Sequence, residues 1–343
     1  MSHRAESIGR TLPPAAAQAG NAAELGAVIS SLIATLVPHD GYMLVGFDPV
    51  TGVVCFRAAE HGYSVAAARR LSADDTLDPD PFDGLAKRPN PVVVLSADLP
   101  AYRRSARVHE LMAADGFGGE LRIALATGGT VWGSLSLLRE LTSRPFSAID
   151  GVHAASLAPS LAQALQGFVA ANAVRWAGPP WPPGVVLVGH DDTITATTPS
   201  GHSWLRELAC HSSPVTDYEL TCGVAWHAIS VSRQSARPAL SRIPTSRGWV
   251  ALHAQPVDSL LGCDVALTIE PATATVLLPA VAAWHGLTPR EQDVVRCALN
   301  GLPTKQIARR LEVSPYTVND HLTAIYRKIG VTARDELLAR FLG

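Results

Sequence analysis

Apolar residues recur every three or four positions at Leu25, Val28, Ile29, Leu32, Ile33 and Leu36, the period of one buried helical face, and predict a helix there. Two apolar runs follow at 42–47 (YMLVGF) and 53–57 (VVCFR), separated by the turn-forming DPVTG at 48–52, and together they read as a β-hairpin. A second hairpin spans 121–138. Gly128 and Gly129 stand at its turn, where a two-residue loop needs backbone angles that glycine takes at little cost. A long helix over 147–175 closes this block. Helix, hairpin, intervening helices, hairpin and closing helix make an α+β sandwich around one antiparallel sheet.

The next block opens with 185–196 (VVLVGHDDTITA): a strand, a turn at Asp191 and Asp192, and another strand. A helix is expected over 203–208, a helical stretch over 218–231, and strands at 248–253 and 264–270. The last block is wholly helical. Thr288, Pro289 and Glu291 spell a capping box with proline at the first helical position. Val294, Val295, Ala298 and Leu299 form the buried face of that helix, and Asn300 and Gly301 end it. A short helix over 304–311 turns Ile307, Ala308 and Leu311 inward. Ser314 caps a third, running to 329, whose Val318, Leu322, Ile325 and Ile329 make one narrow stripe. A fourth spans 333–341.

Proline marks the boundaries. AGPPWPPG at 177–184 cannot continue a helix and reads as a stiff linker, and a weaker break runs from 270 to 279. The chain therefore divides into a mobile tail at 1–20 and domains at 21–175, 181–275 and 280–343, with the helix-turn-helix at about 303–322.

Three resemblances follow from these residues. The layout of the first domain, with WGSLSL at 132–137 and then RPFSA at 144–148, resembles a GAF domain. The strand and helix order of the second is similar to a PAS domain. LTPREQDVV at 287–295, KQIA at 305–308, SPYTVNDHL at 314–322 and YRKIGV at 326–331 resemble the LuxR-type helix-turn-helix, in order and without gaps. The implied fold class is multidomain: an α+β GAF-like domain, an α+β PAS-like domain and an all-α four-helix LuxR-type domain. Three positions depart from the LuxR pattern. Pro303 stands where a Ser or Thr cap is common, so Thr304 is expected to cap instead; Glu312 stands where glycine is frequent; and Asp320 stands where a basic or amide residue is frequent.

Charge sharpens the picture. The whole chain carries a formal −2, which suits a DNA binder poorly until it is divided. From His285 onward nine Lys and Arg face six Asp and Glu, a net +3 that leaves −5 on the remainder. The positive charge sits where a polyanion needs it. With 47% hydrophobic and 17% charged residues the chain reads as folded rather than disordered, and no apolar stretch is long enough to predict a membrane span. Cys55, Cys210, Cys222, Cys263 and Cys297 are odd in number and never spaced CxxC, which argues against a disulfide framework and a zinc site and points to a reducing cytoplasm.

On the third helix of the last block, Asn319, Asp320, Thr323 and Arg327 point away from the Val318 stripe, flanked by Thr317 and Lys328. Asn319, Asp320 and Thr323 are expected to read base edges, since an amide bonds adenine N6 and N7 and a carboxylate accepts from cytosine N4. Lys305, Thr317, Arg327 and Lys328 are expected to contact phosphates. His321 either packs in the bundle or reaches DNA; Arg309 and Arg310 read as a solvated face. Trp132, Trp249, Phe47 and Phe56 read as core. A Cys210-His211 pair is similar to the bilin-attaching pair of phytochromes but lies in the wrong domain, and no metal or catalytic cluster stands out. A receiver domain's acidic pair, phosphoacceptor and late lysine have no counterpart. The expected protein is a cytoplasmic, non-enzymatic regulator without a cofactor. Its expected partners are double-stranded DNA, a second copy of itself, RNA polymerase and a small-molecule ligand in the GAF-like domain. The competing reading is a protein-docking scaffold, or an enzyme, with an accessory DNA-binding tail.

Overall fold

The computed structural model describes residues 3–171, 181–208, 223–245, 248–258 and 263–342. Residues 177–180 of the proline-rich stretch, Cys210, His211 and Cys222 lie outside the described residues, as do 172–175 and 218–222 of two expected helices.

Local chemistry starts the first domain. The Asn21 side chain accepts from the Glu24 N–H at 2.9 Å, and the Glu24 carboxylate accepts from the Gly20 N–H at 2.7 Å; this reciprocal cap opens α2 (Ala22–Ala34), which buries Leu25, Ile29 and Ile33. The two expected hairpins form as β1 (Gly41–Phe47) with β2 (Val54–Glu60), and β4 (Phe117–Thr127) with β5 (Thr130–Glu140). Gly128 and Gly129 take φ of 60° and 83°, the paired positive values of a tight hairpin turn. A strand absent from the expectation, β3 (Val92–Ser96), completes an antiparallel sheet in the order β2-β1-β5-β4-β3. Its short VVVLS run lacks alternation because it is an edge strand with partly buried residues on both sides. Leu44, Leu121, Ile123, Leu135 and Leu137 on one sheet face pack with Leu157, Leu161, Leu165 and Phe168 of α5 (Ala148–Ala171).

Residues 3–20 are folded where a mobile tail was expected. Residues 3–16 form α1 (His3–Ala16), whose Ile8, Leu12 and Ala16 are buried along α5. Gly9 passes so close to α5 that a Cβ there would lie 2.9 Å from the Ser160 hydroxyl. Pro13 and Pro14 fall in the last turn, where little helix remains for them to break.

The opposite sheet face holds charge. Glu120, fully buried, accepts from Arg107 at 2.9 Å, from the Tyr63 hydroxyl at 2.7 Å and from the Ser136 hydroxyl at 2.7 Å. Arg122 pairs with Asp78 through both terminal nitrogens, and Phe82 covers its guanidinium at 4.0 Å. Burial opposes ionisation of Glu120, but the charges of Arg107 and Arg122 outweigh it and hold the carboxyl below its ordinary pKa. Over this face lie α3 (Val65–Ala73) and the short α4 (Phe82–Leu85).

The second domain repeats the strand order of the first. β6 (Gly184–Gly189), β7 (Ile194–Thr197), α6 (Pro199–Leu208), α7 (Gly223–Ser235), β8 (Ala239–Thr245), β9 (Gly248–Pro256) and β10 (Cys263–Pro271) give a sheet ordered β7-β6-β10-β9-β8. Asp192, in the expected turn, has φ 64°. β8 was not expected: its ALSRIPT carries Arg242 and Pro244, which disguise a strand. The two domains meet edge to edge, β8 beside β2. The Ser241 hydroxyl donates to the Val54 carbonyl at 2.7 Å, the Thr51 hydroxyl to the Leu240 carbonyl at 2.7 Å, and the Val54 N–H to His227 Nδ1 at 3.1 Å. Side chains thus satisfy the open edge of β2.

The expected break at 270–279 is also corrected. Thr273 caps α8 (Ala274–His285), which runs unbroken through Pro279 to Gly286 at φ 63°. α8 lies on α5, and Trp284 meets Trp132 with ring centroids 4.7 Å apart. The final domain therefore begins at α8 and shares one apolar core with the first.

Candidate nucleic-acid interface

The last domain is built by its caps. Thr288 accepts from the Glu291 N–H at 3.3 Å while the Glu291 carboxylate accepts from the Thr288 N–H at 2.6 Å, the expected capping box, and α9 (Pro289–Leu299) follows with Val294, Val295 and Ala298 buried. α10 (Thr304–Arg310) has Pro303 at its cap position with no side-chain bond, so Thr304 is the first helical residue and not the cap that was expected. Ser314 accepts from the Thr317 N–H at 3.0 Å and opens α11 (Pro315–Ile329). Between α10 and α11, Glu312 sits at φ 55°, the left-handed conformation that explains why glycine suits this position. α12 (Arg334–Leu342) is tied back by Arg334, which donates to the Leu302 carbonyl at 2.6 Å, and by buried Leu337 and Phe341.

α11 is two-faced. Val318, Leu322, Ile325 and Ile329 are buried, and Asn319, Asp320, Thr323 and Arg327 are exposed on the other side. The Thr323 hydroxyl donates its proton to the Asn319 carbonyl at 2.9 Å, so it faces outward as an acceptor. Thr317 is half-buried, and its hydroxyl shares a 2.9 Å hydrogen bond with the Ser314 hydroxyl at the start of α11. Lys305 is exposed at the start of α10, and Arg309 and Arg310 are exposed at its end, next to the turn into α11. Tyr316, 75% exposed in the first turn of α11, belongs to the same surface. Its signal in the sequence was an aromatic side chain off the apolar stripe.

Lys328 departs from its expected role. Its Nζ donates to both Glu291 carboxylate oxygens, at 2.7 and 2.9 Å, and to the Gly286 carbonyl at 3.0 Å, which uses all three of its protons. The ammonium therefore locks the C-terminal end of α11 to the capping box of α9. Burial opposes the Glu291 charge, but the bonds from Lys328 and Thr288 prevail and lower its pKa. His285 Nδ1–H donates to the Lys328 carbonyl at 3.0 Å, and burial pushes the His285 pKa down. α8 and α11 are joined at the same point.

A short helix, a tight turn and a second helix with an exposed polar face suit insertion into a major groove. Asn319 offers both a donor and an acceptor to one base edge, and the guanidinium of Arg327 suits phosphate.

Residues 285–341 match the family model described as bacterial regulatory proteins, luxR family. A putative HTH-type transcriptional regulator of Mycobacterium bovis is 53% identical over 55 residues, which are 16% of this chain and 6% of that protein. The nitrate/nitrite response regulator protein NarL of Escherichia coli is 31% identical over 101 residues, covering 26% of this chain and 47% of NarL. The chain thus spans less than half the length of either relative. Among solved structures, the GAF domain of a Coxiella burnetii phosphoenolpyruvate-protein phosphotransferase overlaps 47% of this chain and 93% of its own, at 20% identity and a TM-score of 0.30. Family model, matched motifs and helix geometry coincide on the same segment: the C-terminal domain of this chain is a LuxR-type helix-turn-helix domain.

Proposed function

We propose that the chain is a transcription regulator that binds double-stranded DNA as a homodimer through α11, under control of its first two domains. The observation that carries this reading is the exposed row Asn319, Asp320, Thr323 and Arg327, opposite the buried stripe of α11, in a LuxR-type domain of net charge +3. Asn319, Asp320 and Thr323 read bases; Lys305 and Arg327, with Arg309 and Arg310 beside them, hold phosphates. Two-fold symmetry sets half-sites about one helical turn apart. The first domain acts as a GAF-like sensor and the middle one as a PAS-like unit, a reading supported by the strand order they share. The protein works without catalysis, in the cytoplasm, and its output is contact with RNA polymerase or exclusion of it. Among the described residues no helix is long and apolar enough to cross a membrane, in keeping with this.

The test is retention of genomic fragments by the purified full-length protein at two salt concentrations. A paired motif that survives the higher salt supports the proposal. Uniform retention that vanishes with salt, with or without extracts of small molecules, contradicts it.

A further inference from the structure

A cleft of about 440 Å³ runs between the charged face of the first sheet and α7 of the second domain. Its floor comes from Met43 and Val45 of β1, Arg122 of β4, and Ser134 and Ser136 of β5. Its roof comes from a single stripe of α7, with His227, Val231 and Gln234 at helical spacing. The other side of α7, with Val224, Ala225, Ala228 and Ile229, is buried in the core of its own domain. One helix therefore serves both as core for the second domain and as cover for the first.

We propose that this cleft binds an uncharged, amphipathic small molecule, held by both domains at once. The volume is that of a small-molecule site, and its wall sets Met43, Val45, Phe47, Val54, Leu71 and Phe82 beside serines, His227, Gln234 and the paired charges. The charges decide the class. Arg107 is neutralised by Glu120 and Arg122 by Asp78, both pairs hydrogen-bonded through two nitrogens or two oxygens. An ionic ligand would have to break a buried pair and leave one member uncompensated, which is costly. Asp83 is exposed and paired with Lys87 at 3.6 Å, where water screens it, and the half-buried Arg57 packs against Gly223 at the start of α7. A carbonyl or hydroxyl on the ligand would meet Ser230 and Gln234 of the roof, with Met43, Val45 and Phe47 against the apolar part.

This inference rests on the sensor reading above and names its ligand class. It is tested on the full-length protein with two fluorescent probes, neutral Nile red and anionic anilinonaphthalene sulfonate. The expected result is saturable Nile red binding near one per chain, at least about tenfold tighter than the anion. Ser134→Phe fills the cleft from the first domain and Ser230→Trp from the second; each is expected to weaken Nile red by at least about tenfold while thermal unfolding stays cooperative. Ser230 is only half-buried, so Ser230→Trp decides the matter if Ser134→Phe does not fold. Unchanged affinity in a folded Ser230→Trp overturns the two-domain site, and preference for the anion overturns the ligand class. DNA retention by the same preparations separates the two readings: Nile red binding without DNA binding sinks the regulator, and the reverse sinks the cleft.

Discussion

Arg327 and Lys328 are neighbours on α11 with the same charge, yet they do different work. The Arg327 side chain is exposed and Lys328 spends its three protons inside the bundle. Arg327→Ala is expected to weaken binding to every duplex and to reduce the salt slope by about one, measured by titration across salt. Asn319→Ala should instead cost about 1–3 kcal/mol on the preferred sequence and little on others, since base contacts and not phosphate contacts are lost. Equal losses on all sequences for both variants would contradict the division of roles. Glu312 offers a test free of DNA. A non-glycine residue at φ 55° pays for its Cβ, so Glu312→Gly should stabilise the protein by about 0.5–1 kcal/mol in denaturant unfolding, the steric relief exceeding the added chain entropy.

At the scale of elements, legibility followed periodicity. α9 and α11 were readable because a side-chain cap, a helical stripe and a glycine stop agree on each of their boundaries. α1 was missed although Ala5, Ile8, Leu12 and Ala16 make a stripe, because two prolines and a polar start outweighed four small contacts in a local reading. β3 and β8 were missed because edge strands need not alternate; in β8, Arg242 is buried only because a partner waits in another domain. The same limit hid Lys328: its outward charge was legible from the helical wheel, whereas its bond to Glu291 joins residues 37 apart in sequence. The lock it forms has a measurable acid signature. The Glu291 pKa is lower folded than unfolded, so its contribution is complete above the unfolded value of about 4.3 and drains away as pH falls through the folded one. Glu291→Gln should therefore destabilise the domain by about 1–3 kcal/mol at neutral pH and by progressively less toward pH 3, followed by thermal unfolding against pH. A pH-independent difference would show that the carboxylate charge plays no part.

At the scale of the molecule, one side chain ties the three domains together. Arg242 of β8 donates to Asp48 of the first domain at 2.7 Å and to the Val276 carbonyl of α8 at 2.5 Å, with its own side chain 6% exposed and that of Asp48 fully buried. Asp48 also shapes the β1–β2 turn by accepting from the Val50 and Thr51 N–H groups, and it borders the space beside His227. These bonds join the domain interface to α8, and α8 to α11 through His285 and Gly286. Arg242→Ala leaves a buried carboxylate unpaired and should cost about 3–5 kcal/mol in stability, read by denaturant unfolding. Its effect on DNA affinity reports whether the front domains restrain α11.

The central claim is that α11 reads DNA sequence. The most direct measurement is selection from a random duplex library by the full-length protein beside its Asn319→Ala, Thr323→Ala double variant. The account predicts a two-fold symmetric motif for the natural chain, and for the double variant a motif degenerate at the contacted positions with much of the affinity retained. An identical motif from both proteins, or none from the natural chain at any salt, would contradict it.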